Sequence, residues 1–319
     1  MGGVSSEKRI ARALLYTELG KSWLVQFGSS DKDIAEKIDA SLTLVSHSEF
    51  ERAIQSSLEK TASENDLPIA FYAVREVDKQ NSYFEQYTNT TTGNIDALVH
   101  GSDHGSEARI AAIIRNYSKT DSNKLLNHPS LQELRNKKCR AIVFVDDFIG
   151  SGKRTYEFIE SFWNDPTFVS WLSLKYLKII VVSFSATERG MKHVSKHKAK
   201  PEVIVERSCP TFRNMPWGQA LRNSVLNVCK RYGRRTSRSH FWDGYGHESV
   251  ALVFEHGCPN NAPAILWAPI KGKKRWEPLF QNRAILAGEQ SVFPLRSHVV
   301  THLLRFLMSD RRSWQRAAS

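Results

Sequence analysis

Residues 139–163 constrain this chain more than any other stretch. An apolar run, Ala141, Ile142, Val143, Phe144 and Val145, leads into Asp146 and Asp147, then Phe148 and Ile149, then Gly150, Ser151, Gly152, Lys153, Arg154 and Thr155. The run is short, rich in β-branched residues and apolar throughout, which predicts a parallel strand buried on both faces. Beyond the loop, Phe158, Ile159, Phe162 and Trp163 recur at helical spacing until Asn164, Asp165 and Pro166 stop the pattern. The order is therefore strand, acidic pair, Gly/Ser loop, helix. A small loop opening a helix presents backbone N–H groups and the positive end of the helix dipole, which together hold a phosphate. Two carboxylates at the strand end suit sugar hydroxyls or the water shell of a magnesium ion. Phosphate, sugar and metal point to a nucleotide or a sugar phosphate.

Two familiar phosphate motifs fail here. A Walker A loop needs a glycine where Asp147 stands and a hydroxyl residue where Arg154 stands. A dinucleotide fingerprint matches Gly150 and Gly152 but meets Thr155 at its third glycine, and it leaves the acidic pair unexplained. Residues 141–155 instead resemble the ribose-phosphate signature of type I phosphoribosyltransferases: apolar strand, two acidic residues, two more, then a Thr/Gly/Ser-rich loop. The resemblance implies that Asp146 and Asp147 are the catalytic pair, contacting the ribose hydroxyls and, through substrate or water, Mg2+. It implies that Gly150, Ser151, Gly152, Lys153, Arg154 and Thr155 hold the 5′-phosphate. Lys153 and Arg154 depart from the family pattern, which has small or hydroxyl residues there.

A second unit of the same kind lies upstream. Ile95, Asp96, Ala97, Leu98 and Val99 form a strand candidate running into residues 100–107, and Ile110, Ile113, Ile114 and Tyr117 mark a helix after it. By resemblance, Gly101, Ser102, Gly105 and Ser106 are the pyrophosphate-side loop of the phosphoribosyltransferases. His100 and His104 lack a cysteine or carboxylate at ligand spacing and read as surface or hydrogen-bonding residues, with metal binding the alternative. Further strands are expected at 68–74, 178–185 and 203–205, with Thr187 capping the helix between the last two. Alternating strands and helices predict an α/β fold with a doubly wound parallel sheet, ligands meeting the carboxyl ends of its strands.

The flanks complete the expected organisation. Residues 1–65 read as a helical cap or adaptor, 66–210 as the phosphoribosyltransferase-like core, and 211–319 as a C-terminal α+β extension completing it. Helical stretches around Ala35 and Ala53 offer a helix-turn-helix as an alternative to a plain cap, against which stand a long connection and four glutamates, Glu36, Glu49, Glu51 and Glu59. In the tail, Arg231, Arg234, Arg235 and Arg238 interleave with Tyr232, Phe241 and Trp242, a composition suited either to single-stranded nucleic acid or to a solvated loop. His256, Cys258 and Asn260 flank Gly257 and Pro259 and read as a turn.

The chain carries a net charge of +12, which favours polyanionic partners without choosing among them. Its four cysteines are far apart and suggest reduced thiols. The sequence has no apolar run long enough for a bilayer and no signal-peptide pattern, so a cytoplasmic protein with no membrane partner is expected. Residues 229–247, 249–267 and 276–283, with the Asp146 loop, resemble the PRTase-CE-like proteins of bacterial antiphage systems, some of which stand beside reverse transcriptases in retrons. The resemblance implies a ligand such as phosphoribosyl pyrophosphate or a nucleotide, bound with Mg2+. As an enzyme the protein would be a phosphoribosyltransferase or a base-releasing glycosyltransferase acting in antiviral defence. The alternative is a non-catalytic nucleotide sensor, or a scaffold partnering a reverse transcriptase and its RNA or DNA.

Overall fold

The computed structural model describes residues 14, 15, 17–66, 68–78, 80–88, 106–270, 273 and 276–280. In chain order the elements are α1 (Glu18–Val25), α2 (Lys32–Asp39), β1 (Thr43–Val45), α3 (His47–Ser63), β2 (Ile69–Ala73), α4 (Tyr83–Tyr87), α5 (Ser106–Ser118), β3 (Leu125–Asn127) and α6 (Leu131–Asn136). They continue as β4 (Ala141–Ile149), α7 (Lys153–Trp163), α8 (Pro166–Ser173), β5 (Lys178–Ala186), α9 (Glu188–Ser195), β6 (Glu202–Ser208), α10 (Gln219–Gly233), β7 (Leu252–Phe254) and α11 (Ala264–Trp267).

Five strands pair in parallel in the order β3, β2, β4, β5, β6. The expected α/β class is therefore the one observed. β4 lies at the centre, with Ile69 opposite Ala141 on one side and Asp146 opposite Ser183 on the other. The strand runs past its apolar run, so the two aspartates lie within paired β-structure.

Alternation along the strands gives the sheet two covered faces. On one, Ala70, Tyr72, Ile142, Phe144, Ile179 and Val181 meet the apolar stripe of α7, with Phe158, Ile159 and Phe162 all buried. The Phe162 ring stacks on Tyr83 at 4.2 Å between centroids. On the other face Phe50 of α3 packs against Phe184 of β5, and Phe71 of β2 against Tyr117 of α5. Each fully buried ring stabilises the fold by about 1.5–3 kcal/mol relative to exposure.

Helix starts follow their caps. Ser46 accepts from the Glu49 N–H at 3.2 Å to open α3, and Thr187 accepts from the Gly190 N–H at 2.9 Å to open α9. The expected strand at 95–99 lies outside the described residues. Beside β2 the sheet is extended by β3, only three residues long and too short to leave a periodic signal. The connection between α2 and α3 holds strand β1, so it is not the simple turn of a helix-turn-helix.

The chain divides into two compact units, each discontinuous in sequence. One, residues 45–211 and 245–250, contains the parallel sheet and α3. The other, residues 1–44, 212–244 and 251–319, contains α1, α2, α10 and α11. In this second unit the buried Trp23 indole and the Trp276 indole both donate to the Ile265 carbonyl, at 3.0 and 2.9 Å. The Thr43 N–H donates to the Ala251 carbonyl at 2.8 Å, beginning the pairing of β1 with β7. Among the described residues no helix is long and apolar enough to cross a membrane.

Candidate functional site

The end of β4 and the start of α7 build the site. Gly152, the residue before α7, has φ 76°, the left-handed conformation that glycine adopts without a Cβ clash. The turn is held from behind by α9. Thr187 Oγ1 donates to the Gly150 carbonyl at 2.7 Å, and the Thr187 N–H donates to the Ile149 carbonyl at 3.0 Å. Gly190 permits this approach, since a Cβ there would lie 2.2 Å from the Gly150 oxygen. Ser151 Oγ accepts from the Lys153 N–H at 3.3 Å. The remaining N–H groups of the first turn of this eleven-residue helix lack intrahelical acceptors by construction, the usual condition for anion binding.

Asp146 and Asp147 are almost completely buried, at 1% and 4% exposure. Thr155 Oγ1 donates to Asp146 Oδ2 at 2.9 Å, and the Phe148 N–H donates to Asp147 Oδ1 at 2.9 Å. Over both lies Arg154, whose Nη2 contacts Asp146 Oδ1 and donates to Asp147 Oδ1 at 2.9 Å. One guanidinium thus serves two carboxylates. Burial pushes Asp146 up to about 7; Arg154 pulls it down, and the neighbouring Asp147 pushes it further up.

Three side chains that the sequence did not single out stand at the neighbouring strand end. Arg75, just past β2, is buried with its guanidinium 3.6 Å from the Tyr87 ring centroid, and its Nη2 donates to the Tyr83 hydroxyl at 3.2 Å. Its Nη1 is 4.0 Å from Glu107 Oε1 at the start of α5. Burial raises Glu107, while Arg75 and then Arg154 lower it. His128 accepts from the Ala73 N–H at 2.9 Å, and burial, then Arg75, lowers it to about 3. It is a neutral structural imidazole. Only the arginine so close after an apolar strand was available as a sequence signal for this cluster.

The other expected site residues are distributed as follows. Ser106 is the buried first residue of α5, whereas Gly101, Ser102 and Gly105 lie outside the described residues. Arg231, Arg234, Arg235 and Arg238 are all exposed around the end of α10. Arg231 donates to Asp31 Oδ2 at 2.6 Å, and the Arg235 guanidinium lies 4.6 Å from the Tyr232 ring centroid. Tyr232 itself is buried against Phe27, so its ring is core and not a surface for a base. All four cysteines are free, and three are buried.

Among the described residues no group of three or more His, Cys, Asp or Glu side chains has the arrangement of a metal site. Asp146 and Asp147 already accept from Arg154, Thr155 and backbone N–H groups, so protein ligands alone do not make a cation cage here. A cation at this place fits only as part of a ligand's own phosphate and hydroxyl shell.

A parallel α/β sheet whose central strand ends in a buried acidic pair, followed by a Gly/Ser turn and a helix start, defines a phosphoribosyltransferase-like protein. The PRTase-CE family model matches residues 21–282, and the chain belongs to that family. No curated protein and no solved structure matches it.

Proposed function

We propose that the protein binds phosphoribosyl pyrophosphate or a related nucleotide at residues 146–155, with Mg2+ carried in by the ligand's phosphates. The 5′-phosphate takes the N–H groups of the 150–155 turn, and the ribose diol takes Asp146 and Asp147. The observation that carries this reading is the buried acidic pair held at the mouth of a helix-opening glycine turn. Since Arg154 already contacts both carboxylates, an incoming diol has to displace it, and the ligand's phosphate is the natural new partner for its guanidinium. The family likeness supports a cytoplasmic role as effector or accessory component of a bacterial antiviral, retron-type system.

Turnover would require orientation of the anomeric carbon and a second loop to hold the leaving group. The Arg154 contact favours a second reading, in which the site senses occupancy and couples it to a reverse transcriptase and its RNA or DNA. The exposed Arg231, Arg234, Arg235 and Arg238 are the candidate nucleic-acid contacts.

Thermal unfolding with ribose 5-phosphate and phosphoribosyl pyrophosphate, each with and without Mg2+, tests the binding reading. Ligand at a hundred times its Kd should stabilise the fold by about 2.7 kcal/mol. Asp147→Asn should weaken that shift while the variant still folds. The absence of a shift with any pentose phosphate or nucleotide at millimolar concentration removes the reading.

A further inference from the structure

The two cations that depart from the family pattern turn opposite ways. Arg154 faces the acidic pair, whereas the exposed Lys153 lines a groove of about 690 Å³ that begins at the phosphate turn, where Ser151 also lines it. The far wall is α9 and the residue after it, which contribute Arg189, Lys192 and Lys196. Lys192 and Lys196 are one helical turn apart and share a face. The carboxylates in the groove are Glu188, which pairs with Lys192 at 2.5 Å on the exposed surface, and Glu248. His193 also lines it, packed beside the Tyr156 ring at 4.8 Å. Arg189 Nη1 donates to the Gly246 carbonyl at 2.8 Å, tying residues 245–248 to the groove and placing Tyr245, itself 36% exposed, on its rim.

Four permanent cations line the groove against two lining carboxylates and Glu157, which sits 4.0 Å from Lys153, and this surplus attracts phosphate. The volume is far beyond one phosphate and falls in the range of about 300–1,000 Å³ typical of small-molecule sites. We infer that the groove takes a second nucleoside joined through a phosphate bridge to the 5′-phosphate of the ribose at the turn. The bridge lies along Lys153, Lys192 and Lys196, and the base stacks on Tyr245. The inference rests on the ribose-phosphate reading of residues 146–155, and it makes the preferred ligand larger than a mononucleotide.

Calorimetric titration of the full chain tests it with ribose 5-phosphate, ADP-ribose and the dinucleoside monophosphate ApA, repeated on the double variant Lys192→Ala, Lys196→Ala. Both lysines are exposed on α9 or its cap, and a thermal melt checks that the variant keeps its fold. ADP-ribose should bind about tenfold tighter than ribose 5-phosphate, and the variant should lose that gain while its ribose 5-phosphate affinity stays within about twofold. A gain with ADP-ribose alone assigns a pyrophosphate bridge, and a gain with ApA as well assigns the end of a nucleic-acid strand. Equal affinities, or a gain that survives the double substitution, overturn the groove and leave the ribose-phosphate reading intact. Groove-dependent binding of ADP-ribose without any binding of ribose 5-phosphate overturns the reading of the turn and keeps the nucleotide groove. No binding of any probe overturns both.

Discussion

The end of β4 and the segment from Asp31 to Asp39 each bury two aspartates, but they balance the charge differently. At β4, Asp146 and Asp147 share one arginine, with Thr155 and two backbone N–H groups completing the set. In the other region Asp31 has Arg231 and the Tyr232 hydroxyl to itself, at 2.6 and 2.7 Å, whereas neither oxygen of the fully buried Asp39 finds a hydrogen-bond partner among the described residues. Burial pushes Asp39 up to about 8, with Glu36 adding to the rise. A balanced pair such as Asp31 with Arg231 fixes a structure. A shared arginine leaves a surplus carboxylate whose remaining demand a ligand can meet, and this distinguishes the β4 end as a site.

Both raised carboxylates give the same pH sign. An acid held above its ordinary value in the fold keeps its proton longer than it does in the unfolded chain. Its stabilising contribution is therefore complete below about 4 and lost as pH rises through the folded value. For Asp146 and Asp39 those values are about 7 and about 8, so stability should fall as pH rises from about 4 to about 8 and level off above that.

The largest expected effect is on Asp39. Asp39→Asn should stabilise the protein by about 5 kcal/mol at pH 8.5 and by almost nothing at pH 4, because the amide carries no proton to lose. Denaturant melts at both pH values measure it. An equal gain at the two pH values would mean that Asp39 does not titrate in this range, and the contrast with Asp31 would collapse.

Arg154→Ala comes next. Removing the shared cation leaves two adjacent buried carboxylates, and the loss should be about 2 kcal/mol at pH 8, moderated because a third of the arginine side chain is in water. At pH 5 the loss should shrink, since Asp146 then holds a proton. A pH-independent loss would show that Arg154 contributes packing and not charge.

The smallest effect is expected for Arg231→Ala. Its side chain is 57% exposed, so the pair with Asp31 should contribute less than about 1 kcal/mol to stability. The same variant sharpens the nucleic-acid question. If Arg231 neutralises a phosphate, the slope of log K against log salt should flatten by about 0.7–0.9 in the variant. An unchanged slope confines Arg231 to its ion pair.

Much of the fold was legible because its signals are local. The apolar run of β4, the stripe Phe158, Ile159, Phe162 on α7 and the cap Thr187 depend on neighbours a few residues away, and the elements formed where those signals lie. β3 left no signal, because three residues show no period and its place is set by pairing with β2. Tyr232 looked like part of a basic aromatic surface, but Phe27 and Asp31, some two hundred positions earlier in the chain, bury it.

The sequence by itself determined the class of the protein and the order of chemical groups at residues 146–155, since a strand, two carboxylates and a glycine turn are consecutive in the chain and local stereochemistry folds them. Tertiary structure decided which way each charge points. Adjacent cations 153 and 154 project in different directions from the start of one helix, and only the position of the buried aspartates and of α9 assigns Arg154 to the carboxylates and Lys153 to the groove. Coulomb energy depends on separation in space and on burial, and neither quantity is written in sequence order.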